Sequence, residues 1–136
     1  MVKGIAHVCL GAADLVATER FYVEGLGFRK HFDFIRGGKL VGFYMEVAPM
    51  CFIEVFEQSS SFGEGPCPIR HVCFETADID GVIGCLRKGG WEVSEKKLGG
   101  DKSWQCWTED PSGVRIEFHQ YTDRSAQHTG EDCVLG

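Results

Sequence analysis

Ile5-Ala6-His7-Val8-Cys9-Leu10 and Ile69-Arg70-His71-Val72-Cys73-Phe74 are two copies of one pattern. Ile, His, Val and Cys recur in the same order, with 7 answering 71 and 9 answering 73. In that register Ala13-Asp14-Leu15 answers Ala77-Asp78-Ile79, and Gly25 answers Gly89. Near the end of each half, Phe52-Ile53-Glu54-Val55-Phe56 answers Arg115-Ile116-Glu117-Phe118-His119, one residue out of step. Matches so widely spaced in nearly one register indicate an internal duplication. The chain is read as a single domain built from two modules, over about 4–57 and 69–121. A Ser/Gly/Pro-rich joint, 58–68, connects them, and a polar tail, 122–136, follows.

Each module is expected to run strand, helix and three strands. The first strand, over about 5–10, is apolar and β-branched. Asp14 is placed to cap a helix over 14–25, in which Leu15, Ala17, Phe21 and Tyr22 form an apolar stripe and Gly25 ends the helix. Strands follow over 28–35, 39–48 and 50–57, turning at Gly37-Gly38 and Ala48-Pro49. The second module predicts strands over 69–75, 92–98, 104–109 and 114–121 and a helix over 78–88. Its turn Asp110-Pro111-Ser112-Gly113 feeds the last strand. Neither module alone covers the face of its sheet, so an α+β fold is expected: paired curved sheets around a cup-shaped, metal-binding cleft.

The 136 residues are enough for one real core, and 43% hydrophobic with 25% charged residues is a globular composition. No apolar run approaches the ~18 residues that span a bilayer. Twenty acidic against 14 basic residues give a formal charge of −6, with no basic cluster, which argues against nucleic acid and anionic membrane as partners. The first residues carry no secretory leader pattern. The seven cysteines are odd in number and include no C-x-x-C pair. A reducing cytoplasm is therefore expected, with free thiols that are mostly small buried residues.

Four polar residues stand out. His7 and His71 sit in largely apolar strands, so their rings are expected to be buried. Glu54 and Glu117 lie inside apolar strands, where an unpartnered carboxylate costs several kcal/mol. Singly, a strand histidine is a satisfied core residue more often than a ligand, and a strand glutamate more often faces solvent. The duplication ties the four together, and its pseudo-twofold would bring them to one centre. Two imidazoles and two carboxylates then offer N and O donors with a charge of −2, which suits one divalent ion: Ni, Co or Zn, with Mn or Fe also compatible.

These residues resemble the vicinal oxygen chelate superfamily, which includes glyoxalase I, acyl-CoA epimerases, extradiol dioxygenases and bleomycin-binding proteins. The resemblance runs over about 4–121. It is carried by Ile5-Ala6-His7-Val8, by Phe21-Tyr22 through Gly25-Leu26-Gly27-Phe28, by Ile53-Glu54, and by Ile69-Arg70-His71-Val72. Asp110-Pro111-Ser112-Gly113-Val114-Arg115-Ile116-Glu117 completes it. It implies the paired βαβββ fold and metal ligands at His7, Glu54, His71 and Glu117. Glutamate at the second ligand position is similar to bacterial glyoxalase I (lactoylglutathione lyase). The implied activity is a lyase or isomerase that moves a proton on a substrate with adjacent oxygens, such as a hemithioacetal of methylglyoxal. Glu117 would be the principal base and Glu54 its counterpart, with glutathione or another thiol as co-substrate. Phe52, Phe56, Lys102 and His119 are the expected substrate contacts, and a homodimer is expected by resemblance alone. Two positions depart from that pattern: Gly11 stands where an arginine is expected, and Gln58 where an asparagine is. An epimerase, an Fe(II) dioxygenase and a non-catalytic binding protein are the alternatives.

Overall fold

Asp14 starts the first helix as its side-chain chemistry requires, accepting the N–H groups of Val16 (2.9 Å) and Ala17 (3.0 Å). The structure is a computed structural model that describes residues 3–58 and 69–133. Apart from Gln58, the expected joint lies outside the described residues, as does Cys67. The chain divides into two compact units, Met1–Cys67 and Pro68–Gly136.

The first unit runs β1 (His7–Ala12), α1 (Leu15–Arg20), a π-helical turn (Phe21–Gly25), β2 (Arg29–Arg36), β3 (Lys39–Ala48) and β4 (Cys51–Glu57). Its four-stranded sheet has the order β1-β4-β3-β2, with β1 parallel to β4 and the other pairs antiparallel. Gly37 and Gly38 both have positive φ (57° and 76°), the backbone that a tight β2–β3 hairpin needs. The core beneath the sheet is Leu10, Ala12, Phe21, Tyr22, Phe43, Met45, Ile53 and Val55. Each fully buried large apolar side chain contributes about 1.5–3 kcal/mol.

The second unit repeats the plan: β5 (Val72–Glu75), α2 (Ile79–Lys88), β6 (Lys97–Leu98), β7 (Trp104–Glu109), β8 (Arg115–Gln120) and a short α3 (Ala126–Thr129). Its sheet order is β5-β8-β7-β6, again with the first strand parallel to the last. Asp78 caps α2 by accepting the N–H of Gly81 (2.9 Å). Ile79, Ile83, Leu86, Cys106, Ile116 and Phe118 are its core. The βαβββ order expected of each half is thus present in both, as an α+β fold with two four-stranded sheets.

Several expectations need correction. The strand expected over 92–98 shrinks to Lys97–Leu98, with Val93 making one isolated bridge to Thr108. Ser94 interrupts it: its hydroxyl accepts the Trp107 N–H (2.9 Å) and donates to the Glu95 carbonyl (3.0 Å), a local bonding pattern that competes with a regular ladder. The strand expected from residue 69 begins at Val72, and Ile69 is exposed. Of the six described cysteines only Cys106 is buried, and the others expose part of their surface. The tail is packed. Ser125, fully buried, bonds Ser103 Oγ (3.0 Å), and Gln127 Nε2 donates to Asp101 (2.7 Å).

Candidate metal centre

In the first unit, the parallel pairing sets Cys9 opposite Glu54 and His7 opposite Phe52. Alternate residues of a strand share a face, so His7, Cys9, Phe52, Glu54 and Phe56 lie on the side away from the core. His7 Nε2 is 3.8 Å from Glu54 Oε2. Tyr44, directly opposite Glu54 on β3, brings its hydroxyl 3.2 Å from His7 Nδ1 and its ring edge-on to the imidazole at 5.8 Å. With Nδ1 bonded to the phenol, Nε2 is the nitrogen left to face the carboxylate. The Cys9 thiol is pushed up to about 11, first by burial and then by its hydrogen bond to Glu54. Tyr44 stacks between Phe32 (4.8 Å) and Phe52 (5.2 Å), and Phe34 stacks on Phe56 (4.6 Å). The glutamate is therefore bordered by a ladder of rings.

In the second unit, Cys73 is opposite Glu117, and His71 immediately precedes β5. His71 Nε2 is 3.2 Å from Glu117 Oε2. Trp107, opposite Glu117 on β7, meets the His71 ring edge-on at 5.0 Å and carries the Arg115 guanidinium on its face at 4.3 Å. His119, two residues beyond Glu117 on the same face, places Nε2 3.0 Å from Glu117 Oε1. Asp101 Oδ2 stands 3.9 Å from the other ring nitrogen of His119. Burial alone would raise the Asp101 carboxyl, but bonds from Gln127 and Ser103 outweigh it and hold the group below its ordinary value. Burial, then the charge and hydrogen bond of Glu117, push the Cys73 thiol up to about 12.

The first unit brings His7 and Glu54 together, and the second brings together His71, Glu117 and His119. Phe52 and Phe56 flank Glu54 on the same face of β4. Lys102 is exposed on the turn before β7, where its main-chain carbonyl accepts Thr122 Oγ1 (2.8 Å). The expectation of buried histidine rings is corrected: the side chains of His7 and His71 are 41% and 38% exposed, because each lies at the open start of its strand. Glu117, in contrast, is 7% exposed. Neither Glu54 nor Glu117 has a lysine or arginine partner among the described residues. Imidazole nitrogens beside carboxylate oxygens lacking any cationic partner form a donor set that fits a divalent ion. Tyr44 went unnoticed in the sequence, although it answers Trp107 in the same register as Glu54 answers Glu117.

The profile of the Glyoxalase/Bleomycin resistance protein/Dioxygenase superfamily matches residues 4–118. Among solved structures, a glyoxalase family protein from Enterococcus faecalis is similar at 27% identity and a TM-score of 0.72, over 86% of this chain and 97% of that one. Lactoylglutathione lyase from Agrobacterium tumefaciens is similar in fold at 18% identity and a TM-score of 0.66, over 88% and 94%. TnmS3, an antibiotic binding protein from Streptomyces sp. CB03234, is similar in fold at 19% identity and a TM-score of 0.74, over 89% and 98%. Among curated proteins, none matches the sequence significantly. With the profile covering most of its length and the sheet order repeated in both units, the chain belongs to the Glyoxalase/Bleomycin resistance protein/Dioxygenase superfamily.

Proposed function

We propose that the chain is a metal-dependent lyase or isomerase of the glyoxalase I type, in which His7, Glu54, His71 and Glu117 hold one divalent ion of the nickel, cobalt or zinc class. The observation that supports it is the repeated apposition of a histidine Nε2 and a glutamate Oε2, at 3.8 Å in one unit and 3.2 Å in the other. When bound, such an ion supplies Lewis-acid stabilisation to two adjacent substrate oxygens while a neighbouring C–H bond breaks. A metal-bound carboxylate is a poor base, so Glu117 would loosen from the ion as substrate binds, accept that proton on a carboxylate oxygen and return it to the next carbon, isomerising the substrate without net oxidation. Glu54 is the equivalent group of the other unit and serves the opposite face of the substrate. Phe52 and Phe56 give an apolar wall, and Lys102 is the candidate contact for an anionic end.

Glutathione is the first thiol to test as co-substrate, in a cytoplasmic homodimer. Purified protein loaded in turn with nickel, cobalt, zinc and manganese is assayed on methylglyoxal with several thiols. Turnover of a thiol adduct by at least one metal form is expected. Release of α-protons from acyl-CoA or sugar substrates alone would indicate an epimerase instead, and absence of both activities would refute the lyase. A second reading, a binder of planar small molecules, is favoured by the ring ladder Phe32-Tyr44-Phe52, whose outer member Phe32 is 45% exposed. Saturable binding of aromatic compounds by metal-free protein, without turnover, would distinguish it.

A further inference from the structure

We propose that the second unit has a soft divalent site of its own, for an ion of the zinc and cadmium class, formed by Cys73, Glu117 and His119. One ligand atom from each of the three lies within 4.8 Å of the other two. Cys73 faces Glu117 across β5 and β8, and His119 follows Glu117 on the same face. His119 Nε2 is buried and makes no hydrogen bond, although Glu117 Oε1 is 3.0 Å away. A buried ring nitrogen and a carboxylate oxygen held this close are placed as ligands of a common ion. With metal–ligand bonds of about 2.1 Å, N and O donors of a tetrahedral ion stand about 3.4 Å apart, a few tenths of an ångström from the spacing here.

Asp101 Oδ2 stands on the Nδ1 side of the ring, 3.9 Å away, so Nε2 is the nitrogen that faces Glu117 and Cys73. A thiolate and a carboxylate supply the −2 that matches a divalent charge, and the sulfur selects softer ions. The thiol proton is released to solvent as the ion binds. The duplication supplies an internal contrast. The first unit has Cys9 and Glu54 but Phe56 where the second has His119, so it lacks the third donor. The site uses neither His7 nor Glu54. Glu117 can take part in both ligand sets because Oε2 faces His71 and Oε1 faces His119.

Cobalt(II) added to the full, reduced chain reads the site without any assay of turnover. A sulfur-to-cobalt charge-transfer band in the near ultraviolet is expected. It should be lost in Cys73→Ser, weakened at least tenfold in cobalt affinity in His119→Phe, and kept in Cys9→Ser and His7→Ala. X-ray absorption of cobalt-loaded wild-type protein, which needs no variant to fold, should find one sulfur neighbour. No sulfur neighbour, or a band that survives Cys73→Ser, would overturn the site. His7→Ala removes a ligand of the two-unit centre alone, so a band retained there upholds this site even if the lyase proposal fails.

Discussion

His71 Nε2 and Glu117 Oε2 stand 3.2 Å apart across the start of the parallel pair β5–β8. The glutamate is 7% exposed with, among the described residues, no cationic side chain but histidine beside it. A carboxylate so placed is costly unless a cation or proton shares it. That is the physical basis for assigning it both metal-binding and proton-transfer roles.

Glu117→Gln keeps the shape and an oxygen donor but removes the base. Turnover should fall by about 100- to 10,000-fold while the metal stays bound. Steady-state kinetics together with elemental analysis of the variant check this, and unchanged kinetics would remove Glu117 from the mechanism.

Tyr44→Phe deletes only the hydroxyl that meets His7 Nδ1 at 3.2 Å and keeps the stacking with Phe32 and Phe52. Metal affinity should drop about tenfold by calorimetric titration, as expected for loss of a group that orients a ligand. Thermal stability should change by no more than about 1 kcal/mol.

Among the described residues, the three atoms nearest a Cβ at Gly11 all belong to Gln58, at 3.6–3.7 Å, which is ordinary contact. The two departures from the glyoxalase I pattern thus adjoin each other, and Gly11→Arg should fold normally. An added arginine–carboxylate contact is worth about 1.5–3 kcal/mol, so kcat/KM for a glutathione hemithioacetal should rise about tenfold or more. No change relative to small thiols would mean that glutathione does not reach this position.

Cys106 is fully buried on β7, and burial foremost pushes its thiol from 9.0 to about 11. The folded state therefore holds the proton more tightly than the unfolded state. The stability this contributes is complete below pH 9.0 and is lost as pH rises through about 11. Urea denaturation across that range should show a steeper loss for the wild type than for Cys106→Ala, whatever the variant's lower stability at neutral pH.

Much of the fold was legible because it rests on local chemistry repeated twice. Asp14 and Asp78 cap helices by their own side chains, Gly37-Gly38 is the hairpin backbone, and β3 and β7 span the expected residues. What was not legible depends on neighbours distant in sequence. Alternation shows which face of a strand His7 and His71 occupy, but not whether anything covers that face. Ser94 interrupts the expected strand through a bond to Trp107, and the start of the tail is held by Ser103 and Asp101. Tyr44 reads as an ordinary packing aromatic until strand register puts it opposite a glutamate.

The most direct measurement is calorimetric titration of nickel into Cys73→Ser protein, whose sulfur site is absent, with His7→Ala or His71→Ala added in the same background. One nickel per chain is predicted, with affinity falling at least about 100-fold in both variants, since each removes a direct ligand. Nickel binding that His7→Ala leaves unchanged would contradict a centre shared by the two units.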